Sequence, residues 1–212
     1  MEHPLDIDHS PEPIRLFRSD FLEFFTHIHP ITIVIIWTPV VVYFLVRAVQ
    51  GSAGHSRLFI PFALLLGLFV WTFIEYIMHR FVFHYRPRNP WQAKVVFLFH
   101  GIHHKQPQCK TRLVMPPVVS IPLALLFYGL FYGVVGILLG SPQWVAPLFS
   151  GAIFGYLLYD LTHYATHHFP MRRGFLRFLK RYHLKHHYKT PGQRFGVSSP
   201  LWDMVFGTRP AD

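Results

Sequence analysis

"FHGIHHKQPQ", residues 99–108, returns with altered neighbours as "YHLKHHYKTP", residues 182–191. Both write His-x-x-His-His after an aromatic residue and within a basic stretch. At 3.6 residues per helical turn, positions i, i+3 and i+4 share a face, so each triplet turns three imidazoles toward one volume. A histidine pair precedes each triplet at the same distance: sixteen residues separate His84 from His100 and His167 from His183. The chain therefore writes one pair-plus-triplet unit twice, first as His79, His84, His100, His103 and His104, then as His163, His167, His183, His186 and His187. His163 and His167, at i and i+4, share a helical face. His79 and His84 lie five apart and diverge by about 140° on an ideal helix, so that helix must end, widen or present its ligands to different metals.

Beyond the histidines the chain is apolar. Of 212 residues 51% are hydrophobic and only 14% charged, a low share for a soluble protein. Four runs approach the length of about 20 residues that a bilayer-spanning helix needs: 31–46, 58–78, 118–139 and 144–159. "RAVQGSAGHSR" joins the first two and "GSPQ" the second two, which predicts an all-α integral membrane fold of two helical hairpins. Residues 1–30 read as a tail ending in an interfacial amphipathic helix, "RLFRSDFLEFF", without the apolar core of a cleavable signal. Residues 31–212 read as one membrane domain, with a helical cap formed by 79–117 and 160–212. The formal charge of +10 invites a nucleic-acid reading, but its distribution favours a membrane. Arg15 and Arg18, the seven cations from Arg80 to Arg112 and the nine from Arg172 to Arg209 share one side if both termini are cytoplasmic, leaving Arg47 and Arg57 opposite. A multi-pass topology with both termini in the cytoplasm is predicted, and no nucleic-acid partner.

Eleven of the sixteen histidines fall in residues 79–104 and 163–187, directly after the second and fourth runs. Ten repeated imidazoles exceed what one metal holds, and two metals with about five nitrogens each use them all. His3, His9, His27, His29 and His55 read as ordinary surface or core residues, and His168 adjoins the repeat without belonging to it. A single Cys109 excludes a thiolate cage. Glu75, Asp160 and Asp203 are the acidic residues between Glu23 and the terminal Asp212; they are candidates to hydrogen-bond the second ring nitrogen of a ligand and so orient it. Imidazole suits iron, zinc, copper and nickel, so spacing leaves the metal open. Zinc hydrolases commonly need three protein ligands, whereas paired redox-active irons beside lipid suit oxygen activation against an unactivated C–H bond.

"EYIMHRFVFH", "HGIHHKQP", "RLVMPP", "YDLTHYATHH", "LKHHY" and "FGVSSPLWDMVFGT", in order between about residues 21 and 208, resemble the fatty acid 2-hydroxylase branch of the membrane fatty acid hydroxylase superfamily. The resemblance implies four transmembrane helices under a cytosolic cap, a non-haem di-iron centre held by the ten repeated histidines, and O₂-dependent hydroxylation at C2 of a long acyl chain, free or within a sphingolipid. Zinc is expected to replace iron readily during purification. Fungal and animal members often begin with a cytochrome b5 domain, for which residues 1–30 leave no room. A separate electron donor of cytochrome b5 or ferredoxin type, fed by a reductase, is therefore expected. The resemblance places the protein in the cytoplasmic membrane of a bacterium or the endoplasmic reticulum of a eukaryote. Arg112, Tyr182 and Trp202 are guesses for residues lining the acyl cavity. A sterol or acyl desaturase or carotenoid hydroxylase on similar boxes is the rival enzyme; a metal-binding membrane protein or transporter is the rival from another class, disfavoured because the spans hold almost no polar residue.

Overall fold

The computed structural model describes residues 7–10 and 12–211. Among them the chain is helical without strands, and four helical segments are long and apolar enough to cross a membrane: 30–50, 59–83, 117–138 and 142–168. His3 lies outside the described residues.

The first segment is α2 (Pro30–Gln50), which starts on a proline whose fixed φ suits the first helical position and whose preceding His29 ring accepts the N–H of Ile31. It runs on through Pro39 to Gln50, four residues past the expected end. The second joins α3 (Phe59–Ile77) to a widened π-helical turn, Met78–Phe83. After α4 (Pro90–Val96), another π turn, Phe97–Gly101, leads into α5 (Ile102–Lys105). The third segment is α6 (Pro117–Phe131), prolonged by a π stretch, Tyr132–Leu138. A 3₁₀ turn, Pro142–Trp144, opens the fourth, whose main helix α7 covers Val145–His168. The run expected at 144–159 is thus only the first part of a helix that carries Asp160, His163 and His167 without a break. Two further helices complete the cap, α8 (Gly174–Tyr188) and α9 (Leu201–Val205).

α7 is buried on nearly every side and packs most extensively against α3, then α2. Its near approach to α3 depends on missing side chains. A Cβ on Gly151 would lie 2.1 Å from the carbonyl oxygen of Leu64, and one on Gly67 2.1 Å from that of Leu148. Gly151 and Gly155 stand four apart, the small-xxx-small spacing that lets membrane helices meet backbone to backbone. Trp37 and Tyr156 meet edge to face, with ring centroids 5.6 Å apart, in the core shared by α2 and α7. α6 is held more loosely, and Leu125, Leu126 and Leu130 on it are exposed. Phe62 and Leu65 on α3 and Ile35 and Val42 on α2 are exposed too, which makes the outside of the bundle a lipid-facing surface.

The amphipathic helix expected over "RLFRSDFLEFF" forms only as α1 (Asp20–Phe24). The preceding residues are held extended by tertiary contacts. The Glu23 carboxylate accepts the N–H groups of Leu16 (2.9 Å) and Phe17 (2.8 Å), and the buried Arg112 guanidinium donates to the Ile14 carbonyl and pairs with Glu23. Gln106 extends the clasp by accepting from Ile14 N–H and donating to the Asp8 carboxylate and the Glu12 carbonyl. Phe21 and Phe24 project from α1 fully enough, at 71% and 73% exposure, to enter the bilayer surface.

Candidate metal centre

The ten repeated histidines converge at the cap end of the bundle as two groups of five, with the ligand atoms within each group no more than 4.8 Å apart. His79, His84, His100, His104 and His186 form one; His103, His163, His167, His183 and His187 form the other. All except His84 are buried, and His84 is largely so.

Local backbone geometry explains who joins which group. The π turn gives His84 N–H a bond to the His79 carbonyl five residues back, 3.0 Å, so an extra residue is absorbed per turn and the two rings come to one side. Of the three outcomes open for this pair, widening is the one adopted. Each triplet then divides. His100 and His104, at i and i+4, go to the first group while His103 turns to the second; His183 and His187 go to the second while His186 turns to the first. Each group thus takes four rings from one copy of the repeat and one from the other. The stacked rings of His104 and His187, with centroids 4.1 Å apart, join the two groups.

Nitrogen spacing fits a shared cation. In the first group the Nε2 atoms of His79 and His100 are 3.0 Å apart, those of His100 and His104 3.1 Å, and those of His104 and His186 3.2 Å. In the second, His103 lies 2.9 Å from His163 and 3.0 Å from His187, and His183 lies 2.9 Å from His167 and 3.0 Å from His187. Ligands at about 2.1 Å from a metal stand about 3.0 Å apart at right angles, which matches these neighbouring pairs. The rings are also in the right protonation state. Burial first, then the crowding of neighbouring imidazoles, holds His100, His103, His104, His183, His186 and His187 well below the ordinary histidine value, so they stay neutral with a lone pair to give. His84 Nε2 is buried without a protein partner, an arrangement costing about 1–3 kcal/mol that a metal would relieve. The donor set fits two metals.

Orientation of the rings comes from backbone more than from carboxylates. His79 Nδ1–H donates to the Phe195 carbonyl at 2.5 Å and His186 Nδ1–H to that of Gln193 at 2.7 Å, which leaves each Nε2 free for a metal. The acidic residues act one step further out. Asp203 accepts from Phe195 N–H (2.8 Å), Gly196 N–H (2.7 Å) and the Thr208 hydroxyl (2.7 Å). Glu75 accepts from Val197 N–H (2.6 Å), Ser198 N–H (2.9 Å) and the Ser198 hydroxyl. Together they clamp the loop whose carbonyls hold the rings. The direct carboxylate-to-imidazole bond expected for Glu75 and Asp203 is therefore replaced by a relay through the main chain. Asp160 instead accepts Met115 N–H at 3.1 Å, tying α7 to the segment that leads into α6.

A cavity of about 290 Å³ borders both groups, lined by His100, His103 and His163 together with Tyr159, Asp160 and Arg112. Most of the remaining wall is apolar, from residues such as Phe17, Phe25 and Leu113. Arg112 is among the residues that line this cavity. Trp202 and Tyr182 do not: Trp202 donates to Thr72 and packs on Phe73, and Tyr182 sits beneath Arg194. His27 joins the Glu23–Arg112 clasp, His29 caps α2, His55 stacks on Phe59, and His168 packs at a tilt against Tyr164 outside both groups. The clasp escaped the sequence reading because Glu23 and Arg112 lie 89 residues apart in the chain, and the carbonyls of Gln193 and Phe195 escaped it because a main-chain acceptor carries no side-chain signature.

Fold and site together define a class: a four-helix membrane protein with two adjacent all-histidine groups, fit to hold metal, under its cap. The chain belongs to the fatty acid hydroxylase family, whose model, described as fatty acid hydroxylase, matches residues 64–208. A dihydroceramide fatty acyl 2-hydroxylase of Arabidopsis thaliana is 41% identical over 196 residues, 92% of this chain and 80% of that one. A ceramide very long chain fatty acid hydroxylase of Saccharomyces cerevisiae is 41% identical over 90% of this chain, which covers 48% of the yeast protein. The fatty acid 2-hydroxylase of Homo sapiens is 37% identical over 94% of this chain and 58% of its own length. Among solved structures, that described as full-length scs7p with only the hydroxylase domain visible superposes with a TM-score of 0.82 at 39% identity, covering 92% of this chain and 72% of that one.

Proposed function

We propose that this protein hydroxylates C2 of long fatty acyl chains, free or in a sphingolipid, using O₂ and two iron ions held by the ten repeated histidines. The observation that carries this reading is the apolar cavity that abuts both imidazole groups at the membrane end of the cap. The relatives named as 2-hydroxylases supply the position of attack. Iron, when bound, supplies the activation of O₂ that lets a saturated C–H bond react. The overall change is balanced by two electrons and two protons: one C–H becomes C–OH, and the second oxygen atom leaves as water.

The chain's own residues do the rest. His79, His84, His100, His104 and His186 hold one ion, and His103, His163, His167, His183 and His187 the other. Asp203 and Glu75, through the loop they clamp, fix the rings of His79 and His186, and Asp160 fixes the wall at Met115. Arg112, the cation among the cavity's lining residues, marks its polar end, so an acyl head resting there presents the adjacent carbon to the imidazole groups. The apolar walls keep bulk water from the reacting carbon. Electrons come from a separate carrier of cytochrome b5 or ferredoxin type. The basic cap and both termini face the cytoplasm, because that orientation puts eighteen of the twenty Lys and Arg residues on that side.

The test is an assay of iron-loaded protein in lipid with a reductant, ¹⁸O₂ and an acyl substrate deuterated at C2. One deuterium lost and one ¹⁸O gained at C2 is the expected product. Label at scattered positions, or a desaturated product without ¹⁸O, contradicts the reading.

A further inference from the structure

Three spaces follow one another along α6. The first is the 290 Å³ cavity at the imidazole groups, whose inner wall is Phe83, Met115 and Tyr159. The same three side chains wall a slim cavity of about 40 Å³ deep in the bundle, where Trp71, Phe127 and Tyr156 also face in. Trp37, Ala124 and Phe149 line its other end, and those three in turn line a cleft of about 740 Å³ between α2, α6 and α7. That cleft is the largest of the three, yet it lies farthest from the chemistry and takes in Arg47 and Val145 at the opposite end of the bundle. All three are bounded on one side by α6 or its lead-in, the most loosely packed of the four spans.

We propose that this series is the bed of the acyl tail, which threads past Met115 into the bundle, and that Ala124, with Trp37 and Phe149, decides how long a tail fits. The inference rests on the acyl hydroxylase reading above and adds where the tail lies. Continuity with the cavity at the imidazole groups assigns the occupant. The inner walls are almost wholly apolar, which suits polymethylene and no polar ligand. Met115 is an unbranched side chain able to swing from the partition.

Length gives the specificity. His163 borders the first cavity and Phe149 the junction, fourteen residues of one helix and so about 21 Å apart along its axis. Half of a hydrocarbon core about 30 Å thick, the depth that one ordinary tail fills, is about 15 Å. A tail of ordinary length thus ends before Ala124, and only a very long one passes it into the wide cleft.

Ala124→Phe in the full chain, reconstituted in nanodiscs, tests this by comparing hexadecanoic with tetracosanoic acid. The bed predicts that kcat/KM falls by about tenfold or more for the longer acid while the shorter keeps its rate, which also reports that the variant is folded. Ala124→Leu gives a milder version of the same selective loss. Equal loss for both acids, or an unchanged ratio, overturns the proposal; a structural lipid tail in the cleft would give the unchanged ratio. A second measurement needs no turnover: tetracosanoic acid with a terminal diazirine, photolysed on the unsubstituted protein, should label Trp37, Ala124 or Phe149. Labelling confined to lipid-facing Leu126 or Leu130, which line none of the three spaces, overturns the bed. Labelling at the junction without any 2-hydroxy product sinks the hydroxylase reading and leaves the bed standing.

Discussion

His103 shows at the residue scale how the site is divided, since it belongs to the first triplet by sequence and to the second imidazole group by position. His103→Ala and His183→Ala should therefore each cost the same metal, and the double variant should be no worse than either alone, because the two residues act as one unit. Metal content measured by plasma mass spectrometry on singles and double checks this; additive losses contradict the division. Asp203 touches no imidazole but accepts three hydrogen bonds that shape the loop around Phe195. Asp203→Asn keeps the size and loses acceptor strength, and should weaken metal retention by about tenfold or more in a chelator challenge. Identity of the ten rings was legible because residue type and interval repeat together. Their division was not, since i+3 and i+4 lie on one helical face yet can still point to neighbouring ions. The role of Asp203 was legible only in part: a rare acid near a metal motif is visible in a sequence, but the carbonyls through which it works are not.

Elements position those residues by two devices. One is the π turn, which realigns His79 with His84 and which the five-residue interval left as one of three outcomes. The other is the glycine seam between α3 and α7, which sets the height at which His163 and His167 meet the rings carried by α8. Gly151→Ala puts a methyl group against the Leu64 carbonyl, and overpacking of this kind costs about 1–3 kcal/mol. The thermal midpoint in detergent should fall, and metal retention with it; an unchanged midpoint would show that the helices part without strain. Existence and order of the four spans were legible from uninterrupted apolar length. The end of the fourth was not, because α7 stays helical as it turns from apolar to histidine-bearing, so hydropathy falls where the helix does not. The short α1 has the converse cause: an amphipathic pattern over residues 15–25 yields to the hydrogen bonds that Glu23 and Arg112 make with the extended chain.

Across the whole molecule, the two copies of the repeat interlock, each lending one ring to the other's group, so neither hairpin completes a site alone. The same crowding links stability to pH. His100, His103, His104, His183, His186 and His187 bind protons well below the ordinary value of about 6.5 when folded, chiefly through burial, and at about that value when unfolded. Below pH 6.5 the unfolded chain thus holds more protons, and stability falls as pH falls. Metal-free protein should show a thermal midpoint that is steady above about pH 7 and declines below about pH 6.5; a flat profile would mean the rings are exposed without metal. All of this depends on ten imidazoles forming two adjacent ion sites. The most direct test is the metal-to-chain ratio of active, iron-loaded protein, measured on the same sample that yields 2-hydroxy product. Two irons per chain, both required for turnover, is the predicted result; full activity with one iron per chain would contradict it.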